Sequence, residues 1–234
     1  MQQTLQEVAE PIWGKDERRI SNPSFEDSYS LWLRSMPPTH FGDDGLFHVF
    51  DTIKFEHPVF EQQCRDFHEK LEKQFDGVLT RSCIIRLWPG QHIAMHVDGN
   101  ENLHRNCHRL IIPIVTNPGV IMAYMASEDY PAQDYVLEAN TVYDTNGYVP
   151  HSVTNNGDTS RYAFVLDFMY NTPSPDMKVK LYQSYTDQEY DSIVVAGNRR
   201  KFNPELRAPL IETSSLWKKI YKAQKDQHYN NKGD

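Results

Sequence analysis

The sequence predicts a mainly β protein with flanking helices, its core an antiparallel sandwich or barrel. Three observations carry the prediction. Short runs rich in β-branched and aromatic residues succeed one another between Ser82 and Met169. Turn-forming groups separate them: Pro89-Gly90, Asn117-Pro118-Gly119, Asn146-Gly147 and Asn156-Gly157. The clearest helical stripe lies upstream of this region. Many short strands with turns at this spacing bury their apolar residues by closing on themselves or packing face to face.

Residues 1–44 are polar and punctuated by Pro11, Pro23, Pro37 and Pro38, which predicts a covering arm with little regular structure. Gly45 to Phe55 alternates in part and predicts a strand. Pro58 suits the start of a helix, where its missing N–H costs little. Phe60, Cys64, Phe67, Leu71 and Phe75 then recur every three or four residues as one packing stripe, and Gly77 ends it. The strand runs are Ser82–Trp88, Arg109–Val115, Val120–Met125, Tyr135–Leu137, Thr141–Tyr143 and Tyr162–Met169. After Tyr170 the pattern loosens. A last helix is expected from Ser215 to Gln224, with Leu216, Ile220 and Tyr221 on one face and a disordered end beyond it. The organisation is one structural domain: residues 1–78 as arm, strand and helix packing on the core, 79–170 as the core, and 171–234 as a C-terminal extension.

At 234 residues the chain can bury a substantial core. Its formal charge of −8 gives no general attraction to nucleic acid or anionic membrane. No apolar run approaches the roughly 20 residues of a membrane span, and the first residues lack the pattern of a signal peptide. Cys64, Cys83 and Cys107 are odd in number and widely spaced, as in a reducing compartment, so a cytoplasmic protein is expected. Neither a Gly-x-Ser-x-Gly elbow nor a phosphate-binding Gly-x-x-x-x-Gly-Lys loop occurs.

The chemistry points to a metal. His96-Val97-Asp98 is the only His-x-Asp or His-x-Glu in the chain. Residues two apart in extended backbone project to one side, so both side chains can grip one ion, and His151 can supply a third corner. Two imidazoles and one carboxylate describe the facial triad of non-haem Fe(II) oxygenases, which leaves positions open for substrates. On the strand that begins at Arg161, that residue shares a face with Ala163, Val165 and Asp167, while Tyr162, Phe164, Leu166 and Phe168 form a bulky opposite face. A buried arginine there needs an anion: either the carboxylate of a co-substrate, or Asp167 as an internal partner.

The segment from about Ile84 to Phe168 resembles the aspartyl/asparaginyl β-hydroxylase family of Fe(II)/2-oxoglutarate-dependent oxygenases. The resemblance lies in Pro89-Gly90-Gln91-His92-Ile93-Ala94-Met95-His96, Arg105, Leu110-Ile111-Ile112-Pro113, His151-Ser152-Val153-Thr154-Asn155, Arg161 and Val165-Leu166-Asp167-Phe168. It covers a little over a third of the chain. It implies a double-stranded β-helix core of the jelly-roll or cupin-like kind, with Fe(II) held by His96, Asp98 and His151. It also implies 2-oxoglutarate and O2 as co-substrates, with Arg161 on the remote carboxylate of the keto acid. Arg105 matches a second co-substrate arginine of the family, and Arg109 competes for that role. A serine that contacts the co-substrate in the family falls at about Ile85 here. The substrate implied is a peptidyl Asp or Asn side chain or a free amino acid such as proline. Retention of Asp98 argues against a halogenase, which would need that position for halide. The competing class is a cupin-type module that binds a different metal, or an organic acid, without turnover.

Overall fold

Strand alternation divides the apolar side chains of this chain between two layers. The structure is a computed structural model that describes residues 2–7, 13, 25, 27–35, 46–53, 55, 57–98, 108–125, 131–147, 149–170 and 178–182. Its elements are α1 (Gln2–Glu7), β1 (Tyr29–Ser35), β2 (Leu46–Asp51), α2 (Pro58–Phe75), β3 (Gly77–Leu87), β4 (His92–His96), β5 (His108–Val115), β6 (Val120–Tyr124), β7 (Gln133–Tyr135), β8 (Tyr143–Thr145), β9 (His151–Asn155), β10 (Arg161–Tyr170) and β11 (Lys178–Tyr182).

Among these residues the strands form a seven-stranded sheet, β11-β2-β1-β3-β10-β5-β8, and a four-stranded sheet, β4-β9-β6-β7. From β3 to β10 the chain passes back and forth between the two sheets. The resulting quartets, β3-β10-β5-β8 and β4-β9-β6-β7, are the eight strands of a double-stranded β-helix, and the pairings within them are antiparallel. The larger sheet is extended by β1 and β2, with β11 added in parallel to β2.

β10 shows the division plainly. Tyr162, Phe164, Leu166 and Phe168 face outward and are buried with Phe60, Cys64 and Leu71 of α2, where Phe67 stacks on Phe164 with ring centroids 4.3 Å apart. Ala163 and Val165 face the smaller sheet, packing with Met122 of β6 and Val153 of β9 respectively. Each fully buried ring contributes about 1.5–3 kcal/mol relative to exposure.

The helix begins as expected at Pro58, and His57 Nδ1 accepts the Phe60 N–H at 3.3 Å. It ends one residue earlier than the glycine. Asp76 takes the left-handed conformation (φ 47) and returns its N–H to Glu72 O. Gly77 opens β3, and it is glycine for space: a Cβ would lie 2.3 Å from Met169 O and 2.4 Å from the Phe168 ring.

Residues 1–44 depart from the expected irregular arm, because α1 and β1 lie within them and β1 is an interior strand of the large sheet. β1 carries a buried arginine that reads as polar. Arg34 is satisfied by Asp51 (Nε to Oδ1, 2.6 Å), Glu72 (Nη1 to Oε1, 2.6 Å) and Leu79 O (3.0 Å). β7 and β8 are each displaced by two residues, towards the N- and C-terminus respectively, from the runs expected at Tyr135–Leu137 and Thr141–Tyr143. β4, β9 and β11 fall outside the strand runs read from the sequence. No helix among the described residues is long and apolar enough to cross a membrane. The expected helix at Ser215–Gln224 and the tail beyond it lie outside the described residues.

Candidate metal centre

A bulge places the first histidine. In the β4–β9 ladder Ile93 pairs with Val153 but His96 pairs with His151, so β4 carries one extra residue between the two pairs. Ile93 packs inward with Val153. Strict alternation would then send Met95 inward and His96 outward. The extra residue reverses this and sets the two imidazoles side by side, ring centroids 4.3 Å apart. Asp98 lies two residues beyond His96, and its backbone N–H is fixed to Gly147 O of the Asn146–Gly147 turn at 2.8 Å. Its Oδ1 lies 3.7 Å from His96 Nε2, and its Oδ2 lies 3.7 Å from His151 Nε2. One donor atom from each residue falls within 4.8 Å of the others, so a single ion can touch all three.

The rings are aimed from behind. His96 Nδ1 bonds Ala94 O at 2.8 Å and His151 Nδ1 bonds Val149 O at 2.9 Å. A carbonyl only accepts, so each Nδ1 carries the proton and each Nε2 lone pair faces the shared point. Burial lowers the His96 pKa to about 4, with help from the His151 charge, so the ring is neutral at pH 7. Burial alone would raise Asp98, but the Arg109 guanidinium, with smaller contributions from His151 and His96, holds its carboxyl well below the usual carboxylate range. The His96 imidazole is thus neutral and the Asp98 carboxylate ionised, as a divalent cation requires.

Two rings flank the imidazoles. Phe25 meets His96 edge-on at 4.9 Å, and Tyr124 stacks over His151 at 5.6 Å with 26° between planes. Burial raises the Tyr124 pKa to about 12, so it remains a phenol. Neither ring was singled out from the sequence. Phe25 lies in the arm read as irregular, and Tyr124 reads as one more aromatic of a strand.

Arg161, the first residue of β10, is 3% exposed, and no carboxylate among the described residues pairs with it. Burial lowers its pKa to about 10, partly offset by Cys83 and Tyr124, which leaves it cationic at neutral pH. Asp167, its possible internal partner, is taken by Arg109 and Arg81. Arg109 itself contacts Asp167 and Asp98, so the structure ties it to the carboxylate of the candidate metal centre. Arg105 lies outside the described residues. Elsewhere, His92 pairs with Asp27 (3.1 Å), His108 with Asp144 (2.7 Å), and Trp88 covers Arg86 (4.6 Å). His104 lies outside the described residues.

No protein-family model matches this chain, and no curated protein matches it. Several solved structures are similar. An oxidoreductase of the 2OG-Fe(II) oxygenase family from Burkholderia pseudomallei is 13% identical with a TM-score of 0.43, over 62% of this chain and 69% of that one. A cupin domain from Bordetella pertussis is 15% identical with a TM-score of 0.29, over 39% of this chain and 90% of that one. An oxalate oxidase is 16% identical with a TM-score of 0.30, over 40% of this chain and 43% of its own, so the match spans less than half of that protein. The assignment of a double-stranded β-helix rests on the strand order of this chain, and the case for a metal rests on the geometry of His96, Asp98 and His151.

Proposed function

We propose that this protein is a 2-oxoglutarate-dependent dioxygenase that hydroxylates an unactivated C–H bond. The observation that carries the reading is the pairing of a preformed two-histidine, one-carboxylate donor set with a buried arginine in the same barrel that no carboxylate among the described residues neutralises. The donor set suits Fe(II), which His96 Nε2, His151 Nε2 and one oxygen of Asp98 would hold. When bound, iron supplies O2 activation coupled to decarboxylation of 2-oxoglutarate to succinate.

The residues of the chain do the rest. Ala94 O and Val149 O fix the imidazole tautomers. Arg161 offers a planar fork to the remote carboxylate of the keto acid, and burial strengthens that bond. Tyr124 lies within electrostatic range of both Asp98 and Arg161, and its protonated hydroxyl donates to Met122 Sδ at 3.5 Å. Phe25 and Tyr124 shield the imidazoles from water, which limits side reactions. The substrate class follows from the family resemblance: an Asp or Asn side chain in a peptide, or a free amino acid such as proline. The acidic chain disfavours nucleic acid.

The test is an anaerobic titration with Fe(II) and then 2-oxoglutarate, watching for the visible metal-to-ligand charge-transfer band. The band is expected in the parent protein and absent in a folded His96→Ala variant. A folded parent that shows no band would refute the proposal.

A further inference from the structure

Three charged side chains form a row across the centre of the large sheet. Asp167 on β10 is the register partner of Arg81 on β3 and of Arg109 on β5. Arg109 donates from Nε and Nη2 to the two oxygens of Asp167, the second contact being 3.1 Å, and Arg81 Nε donates to Asp167 Oδ2 at 2.6 Å. The remaining Arg109 arm, Nη1, donates to Asp98 Oδ2. Asp167 is 1% exposed, Arg109 6% and Arg81 23%. The two arginines and two aspartates carry no net charge together.

We propose that Arg81, Asp167 and Arg109 form a positioning chain that holds Asp98 with one oxygen turned to the metal. The inference rests on the metal site of the preceding section. Asp98 lies past the last residue of β4, so its own strand does not fix its side chain. Arg109 does so, by occupying Oδ2 and leaving Oδ1 as the free donor beside His96. Asp167 grips Arg109 with two oxygens, and this bidentate clamp sets the direction of the third arm. The same clamp keeps Arg109 from swinging towards a bound keto acid. Of Arg81, Arg109 and Arg161, that leaves Arg161 for the co-substrate. A buried ion network that merely fills space would share the contacts but would have no influence on the metal.

Co(II) is the probe, titrated into the full chain and followed by its visible absorption, whose shape and intensity report ligand geometry. Arg109→Lys keeps the charge but cannot bond Asp167 twice and Asp98 once, so any change reports geometry rather than Coulomb attraction. The Co(II) Kd is expected to rise about tenfold or more, within the range usual for partners of metal ligands, and the band is expected to change shape. Asp167→Asn, which never touches Asp98, is expected to act in the same direction. Arg81→Gln alters the partly exposed end of the row and is expected to weaken Co(II) binding severalfold even if the buried variants do not fold. Parent-like affinity and spectrum in folded Arg109→Lys, or in Arg81→Gln if the former does not fold, overturn the proposal. Failure of the parent to bind Co(II), or unchanged binding in His96→Ala, instead defeats the metal site itself.

Discussion

His68 provides a quantitative test of how α2 sits on the sheet. Its ring is 1% exposed beneath the helix, with Nε2 2.9 Å from Ser82 Oγ and Nδ1 without a hydrogen-bond partner among the described residues. Burial, reinforced by the nearby charges of Arg34 and Arg65, lowers its pKa from 6.5 to about 3. The folded protein therefore binds fewer protons than the unfolded chain between those values. Above pH 6.5 both states are neutral and stability is fully retained; below it, stability falls as the pH falls towards 3. Each unit of the window is worth about 1.4 kcal/mol, so this one group should remove about 3 kcal/mol between pH 7.5 and 4.5. His68→Leu deletes the titration. Urea unfolding of metal-free parent and variant across that range should give two stability curves that converge by about this amount on acidification. The lost Ser82 contact adds an offset independent of pH and leaves the slope difference intact. Parallel curves would refute the reasoning, because they would mean that His68 is protonated in the folded state or reaches water.

Two further predictions concern the arginine at the head of β10. Arg161→Ala should weaken 2-oxoglutarate binding by at least about tenfold, the value of a charge-assisted hydrogen bond, while leaving the Co(II) Kd unchanged; equal loss of both would make Arg161 a structural residue. Asn155 is fully buried, and its Nδ2 donates to Leu87 O (3.0 Å) and Thr159 O (2.9 Å), clamping the β9–β10 turn just before Arg161. Asn155→Ala removes the bond to Leu87 O and one of the two at Thr159 O, which keeps Asn117 Nδ2 at 3.0 Å. The loss of two bonds costs about 1–3 kcal/mol and should lower the thermal midpoint by roughly 2–12 °C, and an unchanged midpoint in calorimetry would show that the turn holds itself.

What the sequence discloses depends on how local the determining contacts are. The stripe of α2 and the two faces of β10 obey periods of 3.6 and 2, so both are readable, and the structure buries the expected residues against one another. β1 is opaque because its Arg34 is satisfied by Asp51 and Glu72, 17 and 38 residues away, and pattern alone counts it as polar. β4 is opaque for another reason. Its bulge between Ile93 and His96 breaks the alternation, and the bulge itself brings His96 round to His151. The grouping of His96, Asp98 and His151 was still legible, because His-x-Asp needs only the two-residue spacing and a distant imidazole. The role of Arg109 was not, since it is decided by Asp167, 58 residues away.

The choice between Asp167 and an external anion for Arg161 can be argued from strand geometry. Alternation puts both residues on one face of β10, which makes them look like partners. A strand rises about 3.3 Å per residue, so six residues separate them by about 20 Å along β10, beyond the reach of even an extended arginine. The structure uses that length. Asp167 ends up beside Arg81 and Arg109, in the row that reaches Asp98, while Arg161 lies opposite Leu87 near the other end of the strand. The strand thus separates a neutralised pair of arginines at the metal end from a cationic one with no described carboxylate at the far end. Under the proposed function, that separation keeps Asp167 from neutralising Arg161 and leaves its guanidinium to the remote carboxylate of 2-oxoglutarate, an attraction that exchanging the two charges on β10 would remove. An Arg161→Asp/Asp167→Arg double variant that still bound 2-oxoglutarate would show that the order of charges along this strand is incidental.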